Sequence, residues 1–361
     1  VNIGVLGGGQ LGRMLALAGY PLGHEFVFVD AAPEALSGLG SHIIAAPDDD
    51  AALTELAGRV DLVTYEFENV PVASARAVAA RVPVYPSPAA LEASQDRLAE
   101  KRFFQSLGIP TAPFAAIGDR PALEQASRTL GMPFILKTRR FGYDGKGQAV
   151  IRTVGDITPA WDRLGDVACI AEGFVRFARE LSVLAVRGRD RALAFYPLVE
   201  NLHADGVLRR SLAPAPAMSP ELQQAAETIA TRVLEALDYV GVLAIELFQV
   251  DGTLVANEMA PRVHNSGHWT IEGAETSQFE NHVRAITGAP LGSTAPVGVS
   301  AMLNLIGDLP DIAAVLAVKG AHLHLYGKQS RPGRKVGHVT IRSDDPAALA
   351  RRTKRIEALL G

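Results

Sequence analysis

Over residues 1–81, short apolar runs alternate with helical patterns, and this alternation restricts the fold more than any other feature of the sequence. VNIGVL and EFVFVD are two such runs, HIIAA and DLVTY two more, with residues 50–59 and 72–81 reading as helices between strands. Chains of this kind build a parallel sheet with helices on both faces. Gly7-Gly8-Gly9-Gln10-Leu11-Gly12 satisfies G-x-G-x-x-G between a strand and a helix, and Asp30 stands near where a dinucleotide domain places its ribose-binding carboxylate. The same turn recurs in units that bind other ligands, so alone it is weak. Tyr65-Glu66-Phe67-Glu68 then puts carboxylates after the fourth strand, a poor neighbourhood for a pyrophosphate.

The pattern changes after a connector and two short helices over residues 86–114. Residues up to about 288 are strand-rich, with FILKT, AVIRT, CIAEGFV, ELSVLAV, ALAFYPLV, VGVLAIELFQV and TLVANEMA as antiparallel candidates. One helix interrupts them: Ser219 caps, Pro220 fills the first turn, and Leu222, Ala226, Ile229, Val233 and Leu237 form a single apolar stripe. Beyond it come SAMLNLIG, a helix near residues 311–318, AHLHLY, VGHVTIR and a basic final helix.

A chain of 361 residues with 48% apolar content has room for two or three domains. Its apolar runs fall short of the roughly 20 residues needed to span a bilayer. The start does not read as a signal peptide, so a cytoplasmic enzyme is expected. Cys169, in the apolar run DVACIA, reads as a core thiol rather than a nucleophile. The net charge of −4 argues against a nucleic-acid partner, although residues 328–355 carry nine Lys/Arg against two Asp.

Two segments carry the chemistry. In KTRRFGYDGKGQ, a strand delivers Lys137 to one face, and Gly142, Gly145 and Gly147 let the backbone turn its amides towards an anion. A plain hairpin around Asp144-Gly145 is the bland reading, but a bare hairpin does not need Lys137, Arg139, Arg140 and Lys146 interleaved in it. The segment predicts a lid that closes over phosphates. Glu172 and Glu180, at strand ends, are candidates for a ribose hydroxyl or an adenine amine, though solvated strand ends are the simpler account.

In NEMAPRVHNSGHW, Glu258 ends a strand joined to the strand of Glu246 through Asp251-Gly252-Thr253. A two-residue turn would pair Glu246 with Asn257 and send Glu258 to the other face. A three-residue loop would pair the two glutamates directly, and this second register is the one expected. Facing carboxylates repel unless a cation lies between them, which suits Mg²⁺, or Mn²⁺, bridging to phosphate oxygens. His264 and His268 are four apart, but Pro261 and Gly267 argue against the helix that a zinc site would need. Arg262, His264, Asn265 and Ser266 read instead as a small-anion cradle.

These residues resemble the ATP-grasp superfamily and, within it, the 5-(carboxyamino)imidazole ribonucleotide synthase family. The matching stretches are GGGQLGRM, YEFENVP, DRLAEKRFF, KTRRFGYDGKGQ, NLHADGVLRRS, NEMAPRVHNSGHWT and RPGRKVGH. The resemblance implies an α/β protein with α+β character in its ATP-grasp part. Its expected domains are a Rossmann-like pre-ATP-grasp domain (1–98), a small lid (99–172), a larger body (173–290) and a C-terminal part packing with the body (291–361). It also implies a homodimer that uses ATP, bicarbonate and 5-aminoimidazole ribonucleotide.

By motif match, Arg97, Lys137, Gly142, Tyr143, Asp144, Gly145, Lys146, Gly147 and Gln148 would contact ATP. Glu172, Gly173, Phe174, Val175, Glu180, His203, Asn257 and Glu258 would complete that site. Glu246 and Glu258 would hold the metal, and Arg262, His264 and Asn265 the bicarbonate. Gln10, Leu11, Glu68, Tyr143, Asp144, Lys328, Arg334 and Lys335 would meet the ribonucleotide, which makes the basic tail a monophosphate site. Lys137, Asp144, Arg262, His264 and Asn265 form the expected catalytic set, with Asp144 orienting the substrate amine. Three rivals remain: an NAD-dependent dehydrogenase, a formate-dependent glycinamide ribonucleotide transformylase, and a non-catalytic nucleotide sensor.

Overall fold

The computed structural model describes residues 1–142 and 146–360. Its first sheet is parallel, in the order β3-β2-β1-β4, and comprises β1 (Asn2–Leu6), β2 (Glu25–Val29), β3 (Ser41–Ile43) and β4 (Leu62–Tyr65). The expected alternation is therefore present. The helix Gln10–Gly19 follows β1 and turns Leu11, Met14 and Leu15 into a core shared with Phe26 and Phe28 of the sheet. The same core holds Phe279, Val283 and Ile286 of the helix Gln278–Thr287, so this helix joins the first sheet to the rest of the chain.

A second sheet, antiparallel and ordered β5-β8-β6-β7, contains β5 (Phe114–Ile117), β6 (Phe134–Thr138), β7 (Gln148–Ile151) and β8 (Cys169–Gly173). The helices Arg120–Thr129 and Ile157–Leu164 back it through Leu123, Ala126, Ile157 and Ala160. Cys169 is buried in that core, as a core thiol should be.

The third sheet has nine strands, which are β9 (Arg179–Arg187), β10 (Leu193–Phe195), β11 (Val199–Ala204), β12 (Val207–Ala213), β13 (Gly241–Val250), β14 (Thr253–Ala260), β15 (Val299–Ile306), β16 (Ala321–Leu325) and β17 (Lys335–Ser343). They run β14-β13-β9-β11-β12-β15-β17-β16, with β10 on β9. Strand alternation divides the labour of β9 and β13. Leu181, Val183, Ala185, Leu243, Ile245 and Leu247 face the helix Pro220–Ala236, whose Leu222, Ala226, Ile229 and Val233 form the expected stripe. Glu180, paired with Phe248, and Glu246, paired with Ser182, face the other way, into a cleft between the three sheets.

Three helices and one hairpin exceed the sequence expectation. Arg120–Thr129, Ile157–Leu164 and Gln278–Thr287 form where few strong periodic signals stood, and β11–β12 is a hairpin. The first two helices are short and bury only two residues each, too little apolar repetition to register as a stripe. Residues 291–361 do not form a separate layer. Pairing of β12 with β15, for instance Arg210 with Leu303, continues the body sheet directly into them.

Candidate functional site

The cleft has a volume of about 810 Å³ and gathers residues from all three sheets. Lys137 on β6 and Glu172 on β8 share one sheet face, since Ile135 pairs with Glu172 and Lys137 with Ile170. Lys137 Nζ donates to Glu172 Oε2 at 3.0 Å. Burial alone would raise the Glu172 carboxyl, but Lys137 and Lys101 outweigh it and hold it below the usual range. Gly173, Phe174 and Val175 continue the wall beyond Glu172, and Phe177 stacks on Phe248 with centroids 4.7 Å apart. This end is a flat apolar slot with one ionised carboxylate.

Arg97 opens the helix Arg97–Ser106 and reaches both neighbours of the slot. Its Nη2 donates to the Gly142 carbonyl at 3.1 Å, and its Nη1 lies 4.0 Å from Glu258 Oε2. Gly142 and Gln148 line the cleft, while the Thr138 amide donates to the Gly147 carbonyl at 2.8 Å. Lys146 lies beside Gly147 and does not line the cleft. Tyr143, Asp144 and Gly145 lie outside the described residues. Two of the four cations interleaved in this segment share a partner inside the fold. Arg139 and Arg140 both pair with Asp96, the residue that caps the helix Arg97–Ser106.

The metal-type pair is the centre of the site. Glu246 on β13 lies directly opposite Glu258 on β14, as expected, but not through the expected loop. Val250 pairs with Thr253, so the connection is a two-residue turn, with Asp251 and Gly252 at φ 47° and 77°. Continued without interruption, that register would have set Glu246 opposite Asn257. A β-bulge inserts one extra residue on β14 at this point and restores the facing glutamates. Burial, and next the charge of Glu258, push the Glu246 carboxyl up to about 7. Two crowded carboxylates of this kind fit a divalent cation. Among the described residues no three His, Cys, Asp or Glu side chains form a metal-binding group, so other ligands would come from nucleotide and water.

Glu180 and His203 sit beside the pair, with His203 Nδ1 and Glu180 Oε2 2.5 Å apart. Burial favours a neutral His203, but the bond to Glu180 and the charge of Glu246 raise its pKa. The loop after β14 supplies the anion cradle. Arg262 Nε donates to Glu68 Oε2, and Asn265 exchanges two amide hydrogen bonds with Asn304. His264 Nε2 lies 3.7 Å from Glu246, and its Nδ1 is 2.9 Å from Ser266 Oγ. Burial, then Arg262, push the His264 imidazole well below its usual range, leaving it neutral. His268 follows a short 3-10 turn, lines the same cleft and packs against Phe279 and His338; among the described residues neither histidine belongs to a group of three metal-type side chains.

Three amides of the glycine turn are taken up within the chain. Glu66 accepts from the Gly9 amide at 2.5 Å and the Gly12 amide at 2.6 Å, while Asp30 accepts from Gly8 at 2.6 Å. A carboxylate of the chain itself therefore takes two of the amide donors that a dinucleotide's pyrophosphate would use, which weighs against the dehydrogenase reading. Gln10, Leu11 and Glu68 do line the cleft, and Lys328 Nζ donates to Gln10 Oε1. Lys335 lines the same space. Arg334 does not. It ion-pairs with Glu34 at 3.0 Å in an adjoining hollow of about 290 Å³, and Lys328 borders both spaces.

Several residues escaped the sequence reading. Glu66 had a visible sign, the unusual carboxylates after the fourth strand. Glu100 and Lys101 had none, because consecutive charges on a helix normally read as a solvated face. Both are buried at 2% and 1% exposure. Asn304, which orients Asn265, looks like any strand polar residue.

Residues 102–279 match the ATP-grasp domain family, residues 1–95 the ribonucleotide synthetase preATP-grasp domain, and residues 300–352 the phosphoribosylaminoimidazole carboxylase C-terminal domain. The N5-carboxyaminoimidazole ribonucleotide synthase of Pseudomonas aeruginosa is 55% identical over 361 residues, 100% of this chain and 99% of that protein. The crystal structure of the corresponding synthetase from Thermus thermophilus superposes with a TM-score of 0.95 at 59% identity, covering 99% of this chain and 98% of the other. The synthase of Aspergillus clavatus in complex with ADP and 5-aminoimidazole ribonucleotide gives 0.91 at 31% identity, with 99% and 98% covered.

Proposed function

The chain belongs to the N5-carboxyaminoimidazole ribonucleotide synthase family, and from that premise we infer that it is an ADP-forming ligase of purine biosynthesis. It joins ATP, bicarbonate and 5-aminoimidazole ribonucleotide, giving ADP, phosphate and N5-carboxyaminoimidazole ribonucleotide. The observation that carries this reading is the facing of Glu246 and Glu258 within one cleft. Lys137, Glu172, Arg262, His264, Asn265 and Lys335 line the same cleft as the pair.

The division of labour follows from the chemistry of each end. The slot at Glu172 to Val175 receives the adenine and ribose, with Glu180 and His203 beside them. Lys137, Arg97 and the glycine segment neutralise the phosphates. Mg²⁺ held by Glu246 and Glu258 would supply charge neutralisation at the phosphate oxygens. Arg262, His264 and Asn265 hold bicarbonate so that one oxygen attacks the γ-phosphorus. A P–O bond forms, the bond to ADP breaks, and carboxyphosphate results. The ribonucleotide amine then takes the carboxyl group and loses a proton, and phosphate leaves. Asp144 is assigned to orienting that amine, and Gln10, Leu11, Glu68, Lys328 and Lys335 to holding the ribonucleotide. Because carboxyphosphate is labile in water, a glycine-rich segment over the phosphates suits the reaction.

A cytoplasmic homodimer belongs to the same reading. Among the described residues no helix is long and apolar enough to cross a membrane. The decisive experiment measures ADP release with bicarbonate and the ribonucleotide present together and singly, and identifies the product. Product formation that required formate instead, or nucleotide binding without turnover, would overturn the assignment.

A further inference from the structure

Glu258 faces Glu246 only because β14 is bulged, and a bulge leaves backbone groups that the neighbouring strand does not pair. β14 is the edge of its sheet, so those groups face outward. In a regular strand, outward amides recur every second residue. On β14 they are three apart: the Ala256 amide donates to the Pro110 carbonyl at 2.8 Å, and the Met259 amide to Glu100 Oε1 at 2.7 Å. Between them, the Asn257 carbonyl accepts from Lys101 Nζ at 2.6 Å.

We propose that Glu100 and Lys101 are positioning residues that recognise the bulged register of β14 and so keep Glu258 opposite Glu246. The geometry is selective. In an unbulged strand the outward amide after Ala256 would be that of Glu258, and Met259 would turn towards β13, leaving Glu100 without its donor. Both side chains are buried and sit consecutively on the helix Arg97–Ser106, where water cannot replace their partners. Lys101 Nζ also lies 3.4 Å from Glu172 Oε2, which ties the nucleotide slot to the same strand. One helix therefore contributes Arg97 to the cleft and, one turn later, holds the strand that carries the metal-type carboxylate.

The proposal rests on the reading of Glu246 and Glu258 as the divalent-ion pair. Its test compares Glu100→Leu, Glu100→Gln and Lys101→Met by two measurements: Mn²⁺ binding in the presence of ADP, followed by electron paramagnetic resonance, and the β13–β14 register in nucleotide-free crystal structures. Glu100→Leu and Lys101→Met should weaken Mn²⁺ binding by about tenfold or more, because each leaves a buried backbone group unpaired. They should also shift Glu258 out of register. Glu100→Gln keeps an acceptor oxygen and should retain both register and affinity. If Glu100→Leu does not fold, Lys101→Met decides. Wild-type register and Mn²⁺ affinity in Lys101→Met, or a loss in Glu100→Gln equal to that in Glu100→Leu, overturns the proposal. If the wild type itself binds no Mn²⁺ with ADP, the functional reading fails, while the crystallographic register still decides the role of the two residues.

Discussion

Glu68 and Arg262, 194 residues apart, form an ion pair that ties the loop after β4 to the loop after β14. Burial opposes the charge on Glu68, yet the Arg262 guanidinium outweighs it and holds the carboxyl below its usual range. The residue assigned to the ribonucleotide and the residue assigned to bicarbonate are thus direct neighbours. The arginine fork is oriented from the first sheet, not from its own loop alone.

Removing that carboxylate should disturb two substrates together. Glu68→Ala leaves Arg262 without its partner, and kcat/KM for both bicarbonate and the ribonucleotide should fall by about tenfold to a hundredfold. The Michaelis constant for ATP should stay in place. A change confined to ATP would show that Glu68 does not orient the anion loop.

Glu258→Gln removes one of two charges that face each other in the ladder. If the pair holds the divalent ion, turnover should drop by ~100-fold or more while circular dichroism and the unfolding transition remain. Near-normal turnover in a folded variant would sink the assignment of the pair.

Lys335 lines the main cleft, at the start of β17, close enough to Glu68 to help hold its carboxyl ionised. A phosphate contact stabilises ground state and transition state alike, so Lys335→Ala should mainly raise the Michaelis constant for the ribonucleotide. ATP affinity should barely move, since the ATP phosphates are assigned to Lys137 and Arg97. Loss of ATP affinity with ribonucleotide affinity intact would reverse the two ends of the site.

His282 makes stability depend on pH. Its Nε2 is 2.9 Å from Thr64 Oγ1 on β4, and its Nδ1 accepts from the Val242 amide on β13 at 3.1 Å. Accepting at Nδ1 requires the neutral ring, and burial lowers the pKa from 6.5 to about 3. Below pH 6.5 the unfolded chain binds a proton that the folded chain refuses. The contribution is complete above that pH and is lost as pH falls, at up to about 1.4 kcal/mol per unit. His264, His268 and His338, also lowered by burial, add to the same trend. Between pH 6.5 and 5, unfolding of His282→Gln should depend less steeply on pH than that of the wild type. Equal slopes would show that His282 is not the group responsible.

Much of the architecture was legible because it depends on local repetition. Alternating apolar runs specify a parallel sheet wherever they occur, and Ser219-Pro220 with its stripe specifies a helix whatever it packs against. The helix Gln278–Thr287 was harder to read. Buried polar residues such as Gln278, Asn281 and His282 blur its apolar stripe, and their partners lie elsewhere in the chain.

By itself the sequence determined the alternating first sheet, many of the residues that line the cleft, and the identity of the two facing carboxylates. Tertiary structure alone decided how those carboxylates come to face each other, and what the glycine turn does with its amides. A turn sets register by loop length, but a bulge several residues away can reset it, and this bulge is held by a helix that lies more than 150 positions earlier in the chain. The Gly7–Gly12 segment could have received a pyrophosphate until Glu66, brought alongside by the pairing of β1 with β4, took up those donors. A backbone amide bonds to whichever acceptor the fold brings within reach, and no local pattern of residues encodes which one that will be.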